Sequence, residues 1–110
     1  MHHFAYRNGV LHCEDVSLEA VARELGTPAY VYSDATLRRH YSVLADAFAN
    51  RDVLIAFAVK ANSNIGVLAT LASVGAGADV VSGGEMLRAL EAGIPANRIV
   101  FSGVAKTVEE

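Results

Sequence analysis

Seven consecutive apolar residues, Val53 to Val59, run without polar alternation and stop abruptly at a cation, Lys60. A strand with one wet face alternates, so this run predicts a strand covered on both faces, as in a parallel sheet flanked by helices. Directly after it come Asn62, Ser63 and Asn64, whose side chains accept hydrogen bonds from free helix N–H groups, and then Val67, Leu68, Leu71 and Ala72 at helical spacing. The pattern places Lys60 at the carboxyl end of a buried strand, where the loops of α/β folds carry their chemistry.

From Val53 onward the chain is regular. A strand over 53–59 is followed by a helix over about 64–74, a strand over 78–81, a helix over about 83–92 and a strand over 98–102, with Gly75-Ala76-Gly77 and Gly93 as punctuation. This βαβαβ order predicts a parallel sheet with right-handed crossovers. Ser82-Gly83-Gly84-Glu85 has the form of a capping box, and Met86, Leu87 and Leu90 share one face of the helix it opens. Thr107-Val108-Glu109-Glu110 repeats the capping pattern in the last four residues, and a closed (β/α) barrel takes about 250 residues. The expectation is therefore a piece of a longer protein, with Leu68, Leu71, Leu87 and Leu90 left for neighbouring units to cover.

The amino-terminal part reads differently. Asn8-Gly9 between Phe4/Tyr6 and Val10/Leu11 predicts a hairpin over residues 4–12. Ser17 is placed to cap a helix with the stripe Leu18, Val21, Ala22 and Leu25, ended by Gly26. Thr27-Pro28 requires an extended chain, Ala29 to Tyr32 reads as a brief strand with its tyrosines in the core, and Ser33 caps a longer helix with the stripe Leu37, Tyr41, Leu44, Ala45 and Phe48.

Composition narrows the function classes. A net charge of −3 provides no basic field for nucleic acid or an anionic membrane. The single cysteine, Cys13, has no intramolecular disulfide partner, no Cys/His pair has zinc-ligand spacing, and no apolar stretch is long enough to span a bilayer. A cytoplasmic protein without a metal centre is expected. The glycines of Gly75-Ala76-Gly77 precede a strand, whereas a dinucleotide fingerprint needs them after one, and Gly83-Gly84 lacks a third glycine.

The residue with chemical potential is Lys60. An ammonium desolvated at the end of an apolar strand loses part of its preference for the charged form and becomes available as an amine for an imine with an aldehyde. A solvated or ion-paired lysine closing a loop is the plainer alternative. Asp79, a carboxylate within the apolar strand Ala78-Asp79-Val80-Val81, needs a partner, and Lys60 at the adjacent strand end is the expected one.

The segments Phe57-Ala58-Val59-Lys60-Ala61-Asn62-Ser63-Asn64, Gly75-Ala76-Gly77-Ala78-Asp79-Val80-Val81-Ser82-Gly83-Gly84-Glu85 and Ile99-Val100-Phe101-Ser102-Gly103 with Lys106 resemble the amino-terminal part of diaminopimelate decarboxylases. These are pyridoxal-phosphate enzymes of the alanine racemase-like barrel fold. The resemblance extends back to Gly26-Thr27-Pro28-Ala29-Tyr30-Val31-Tyr32 and departs from the family pattern at Phe57, where tyrosine is common, and Ala105, where glycine is common.

The resemblance implies an α/β fold: a partial (β/α)8 TIM barrel truncated after about its third strand. Residues 26–110 would form this first part of the barrel, and residues 1–25 would associate with a separate carboxyl-terminal β domain. It implies decarboxylation of meso-2,6-diaminopimelate to L-lysine in a homodimer, with Lys60 holding pyridoxal 5'-phosphate as an imine, Asp79 beside the Lys60 amine and Ala58 packed near the cofactor ring. Glu85 is a fainter candidate, since capping already accounts for it. Ornithine or arginine decarboxylases and alanine racemases share the lysine segment and stay open as alternatives, as does a non-catalytic pyridoxal-phosphate-binding homologue that has lost active-site residues.

Overall fold

A computed structural model describes residues 2–110. Its first unit is a three-stranded antiparallel sheet, β1 (Phe4–Arg7), β2 (Val10–Cys13) and β3 (Val16–Ser17), in the order β1-β2-β3. The hairpin turns at Asn8 and Gly9, whose φ values of 51° and 82° are the left-handed pair that this two-residue turn requires. Strand β3 was not expected from the sequence: Ser17 ends it and also caps α1 (Leu18–Leu25), accepting the Ala20 N–H at 3.4 Å. Residues 29–32 form no strand, and Tyr30 and Tyr32 are exposed rather than in a core. No neighbouring strand presents them with a ladder, which is what an isolated extended segment lacks.

Two contacts tie this unit to α2 (Asp34–Ala47). Ser33, buried at 4% exposure, caps α2 by accepting the Thr36 N–H at 3.0 Å. Its hydroxyl donates to Glu14 Oε1 at 2.7 Å, and the same oxygen accepts the Ala35 N–H at 2.9 Å. His3 contributes a second link, with its backbone N–H donating to Thr36 Oγ1 at 3.1 Å. The inward stripe of α2 is partly realised: Leu37 and Tyr41 pack against buried Val67, Leu71 and Ala76, while Leu44 and Phe48 stay exposed.

The second unit is a parallel sheet of β4 (Ala56–Ala58), β5 (Gly77–Val80) and β6 (Ile99–Phe101), in the order β4-β5-β6. Helix α3 (Ile65–Ser73) makes the first crossover and α4 (Gly83–Glu91) the second. The first strand is shorter than the apolar run predicts. Its ladder to β5 begins at the Ala56↔Gly77 pair, so Val53 and Leu54 have no partner and stay exposed, and Val59 already belongs to a 3-10 turn, Val59–Ala61.

The core lies between one face of this sheet and the two crossover helices. Val59, Leu68, Ala78, Val80, Ala89 and Ile94 are buried together, with Phe57, Met86, Ile99 and Phe101 packed around them. Complete burial of an aliphatic side chain such as Leu68 is worth roughly 1.5–3 kcal/mol. The expectation that Leu68 and Leu71 await further units is corrected: α3 buries both against the sheet and α2. Leu87 and Leu90 do stay exposed, because α4 turns that side away from β5.

Candidate functional site

The opposite face of the parallel sheet carries small and polar side chains. Ala58, Asp79 and Val100 are register partners across the three strands. Alternation puts them on the side away from Phe57, Ala78, Val80, Ile99 and Phe101, which face the core. Ala56 and Gly77 form the row below. The result is a shallow surface with almost no side-chain bulk over β4, bounded by the Asp79 carboxylate.

Lys60 sits at the carboxyl end of this surface. Val59, fully buried, anchors the 3-10 turn in which the lysine stands, and the turn closes through the Asn62 N–H donating to Val59 O at 3.1 Å. Helix α3 then starts at its cap Asn64, whose Oδ1 accepts from Gly66 N at 2.9 Å and Val67 N at 3.3 Å. Asn62 Oδ1 in turn accepts the Asn64 N–H at 3.0 Å. These polar residues therefore fix the path of the backbone that presents the amine.

The Lys60 side chain is exposed, and it makes no hydrogen bond or ion pair among the described residues. The expected pair with Asp79 does not form. Asp79 is half-buried and its Oδ1 accepts the hydroxyl hydrogen of Ser102 at 2.5 Å. Ser102 lies two residues beyond Val100, so strand alternation returns its side chain to the Asp79 face. Lys60 instead leaves the strand direction in the turn. The sequence marked Ser102 only as the last residue of a strand; the signal that could have found it is its i+2 spacing from the register partner of Asp79.

Neighbouring residues at the same end of the sheet have settled partners. Ser82 caps α4 by accepting the Glu85 N–H at 3.3 Å, as the capping box predicts. Glu85 returns its Oε2 to the Val81 N–H at 2.9 Å, one residue earlier than in the standard reciprocal arrangement. Thr107 and Glu110 do form the reciprocal box: Thr107 N donates to Glu110 Oε2 at 3.1 Å and Glu110 N to Thr107 Oγ1 at 3.4 Å. Glu110 Oε1 also accepts the Gly83 N–H at 2.8 Å at the start of α4, and these N–H donors hold its carboxyl below the usual range. Lys106 donates to Gly103 O at 2.8 Å and lies over the Phe101 ring, so its ammonium is engaged where that of Lys60 is not.

An apolar groove of 390 Å³ runs along the open edge of β4 beside α2, between Leu37, Tyr41, Leu44, Phe57 and Leu71. Lys60 and Asp79 are not part of its lining. Ala56, Ala58 and His40 also line it, so it borders the face described above at the free edge of β4. No cluster of His, Cys, Asp and Glu that could hold a metal ion occurs among the described residues, and no helix is long and apolar enough to cross a membrane.

An unpartnered amine at a strand end, a nearby carboxylate and an uncrowded apolar surface fit a carbonyl-bearing aromatic cofactor that would react with the amine and lie flat against alanine. The fold is the wall of an α/β barrel, with a lysine at the carboxyl end of its first strand. Residues 34–110 match the family of pyridoxal-dependent decarboxylases over their pyridoxal binding domain, and the chain belongs to that family.

Particular relatives narrow the likeness. The chain is 55% identical over 107 residues to diaminopimelate decarboxylase of Pseudomonas fluorescens, covering 97% of this chain and 26% of that protein. It is 52% identical over 110 residues to diaminopimelate decarboxylase of Haemophilus influenzae, covering all of this chain and 26% of the relative. The crystal structure of diaminopimelate decarboxylase from M. jannaschii in complex with L-lysine superposes with a TM-score of 0.90 at 34% identity, over 96% of this chain and 26% of that one. The chain thus spans about a quarter of the length of the relatives it matches.

Proposed function

We propose that this chain is the amino-terminal part of a diaminopimelate decarboxylase, which removes carbon dioxide from meso-2,6-diaminopimelate to give L-lysine, and that Lys60 is the residue that holds pyridoxal 5'-phosphate. The observation that carries this reading is the unpartnered Lys60 amine at the end of β4, inside a segment continuous with relatives of that activity at 50–55% identity. The lysine complex of the M. jannaschii relative supports the same product.

When bound, the cofactor supplies an electron sink for the charge left as carbon dioxide departs. The chain's own residues do the placing. Val59 and the Asn62–Asn64 turn hold the Lys60 backbone, Ala58 offers a flat apolar contact for a ring, and Asp79 supplies negative charge on the same face. Free of a competing partner, the Lys60 amine is available to the cofactor's carbonyl.

The division into residues 1–25 and 26–110 belongs to the same proposal, with the first segment associated with a separate β domain and the second forming the start of the barrel. It is supported by the antiparallel character of β1–β3 and by the family match beginning at Asp34, the first residue of α2. The proposal includes a homodimeric cytoplasmic enzyme.

The test is carbon dioxide release by the full-length protein supplied with pyridoxal phosphate. Release from meso-diaminopimelate with L-lysine as product, and at least about a hundredfold slower release from ornithine, arginine and lysine, is expected of a site that discriminates by polar contacts. Preference for one of those three substrates, or no release from any, would overturn the substrate assignment.

A further inference from the structure

We propose that Ser102 is a positioning residue that holds the Asp79 carboxylate away from Lys60 and so keeps the amine unpaired. Three observations place the hydroxyl for this task. Its backbone is pinned, because the Ser102 N–H donates to Val80 O at 2.9 Å and extends the β5–β6 ladder past Phe101. The next residue, Gly103, is buried so closely over β5 that a Cβ there would stand 2.6 Å from Val81 O and 2.8 Å from the Phe101 ring. That contact admits only glycine and stops the chain from drifting off the sheet. The side chain then faces Asp79, whose Oδ1 it holds at 2.5 Å.

The consequence is a choice of partner. A carboxylate on the face shared with Ala58, one strand away from Lys60, would gain from pairing with an ammonium. A serine hydroxyl two residues beyond its register partner bonds the charged oxygen directly, in the stronger charge-assisted way. Oδ1 is engaged by the hydroxyl, and Lys60 stands without an ion pair. An amine that must react with a carbonyl works from its uncharged form, which an ion pair would disfavour.

This inference rests on Lys60 being the cofactor amine, and its test is chosen to fail separately from that reading. The full-length protein, stripped of cofactor, is acylated with acetic anhydride, and the rate at Lys60 is followed by peptide mass spectrometry against a free lysine peptide in the same tube. Ser102→Ala is expected to slow labelling of Lys60 about tenfold, the scale of one hydrogen bond to a charged group. Ser102→Thr restores most of the rate. In an Asp79→Asn background, Ser102→Ala changes nothing, because the hydroxyl acts only through the carboxylate.

Unchanged labelling in Ser102→Ala, or equal slowing with and without Asp79, would overturn the proposal. Thermal melts accompany each variant. Should Ser102→Ala fail to fold, Ser102→Cys, with a weak S–H donor, is expected to give an intermediate rate, and a rate equal to that of serine would contradict the role. Since acylation needs no pyridoxal phosphate, a cofactor found on another lysine would remove the functional reading without altering this result.

Discussion

The Ser33 hydroxyl donates to Glu14 Oε1 at 2.7 Å across 19 residues of sequence, joining the antiparallel sheet to the start of α2. Glu14 adopts a left-handed φ of 56° to reach that position. It thereby caps a helix that is not its own, because the same oxygen takes the Ala35 N–H.

The joint is pH-dependent. The Ala35 N–H and then the Ser33 hydroxyl hold the Glu14 carboxyl below its ordinary value of 4.5. A depressed folded-state value means that the stabilisation is fully present above the unfolded-state value and is lost as pH falls through the folded one. Glu14→Gln is therefore expected to lower the melting temperature of the full-length protein at neutral pH. The difference from the parent should close as the medium is acidified below the usual glutamate range; a difference that persists there would show that the carboxylate charge is not what matters.

Asn64 is the cap that fixes the helix after Lys60. Asn64→Ala leaves two N–H groups at the start of α3 without their acceptor and is expected to cost about 1 kcal/mol. Asn64→Asp should recover most of that loss in a denaturant titration. Equal destabilisation by both substitutions would indicate a packing role.

Asp79→Ala removes the only carboxylate on the Ala58–Val100 row and is expected to weaken pyridoxal phosphate retention about tenfold, as loss of one charge-assisted contact does. Equilibrium dialysis of the full-length protein measures it. Unchanged retention together with unchanged turnover would make Asp79 a structural residue.

The 110 residues expressed alone are expected to aggregate or to bind a hydrophobic dye. Leu87 at 65% and Val100 at 47% exposure, with strand edges open at β4 and β6, are surface that further barrel units would cover. Gel filtration showing a monodisperse monomer with a cooperative melt would contradict this.

Much of this architecture was legible because local signals carried it. Asn8-Gly9 dictates its own turn, Ser17, Ser33, Asn64 and Ser82 each cap the helix they precede, and the unbroken Val53–Val59 run marks the first strand of the parallel sheet, at its edge. What stayed hidden depends on pairing between distant segments. The length of β4 is set by where β5 starts, a fact outside its own residues. The partner of Asp79 depends on the β5–β6 register, which links Asp79 to Val100 and only then to Ser102. The place of Lys60 at the end of β4 was legible, but its freedom from Asp79 was not, since a charge count favours the ion pair and strand geometry favours the hydroxyl.

On the proposed function, Lys60 and no other amine carries the cofactor. Incubating the full-length protein with pyridoxal phosphate, reducing with borohydride and mapping the pyridoxyl group by peptide mass spectrometry tests it directly. Stoichiometric label is expected on Lys60 and none on Lys106, whose ammonium is held by Gly103 O and the Phe101 ring. Label on Lys106 or elsewhere, with Lys60 unmodified, would contradict it.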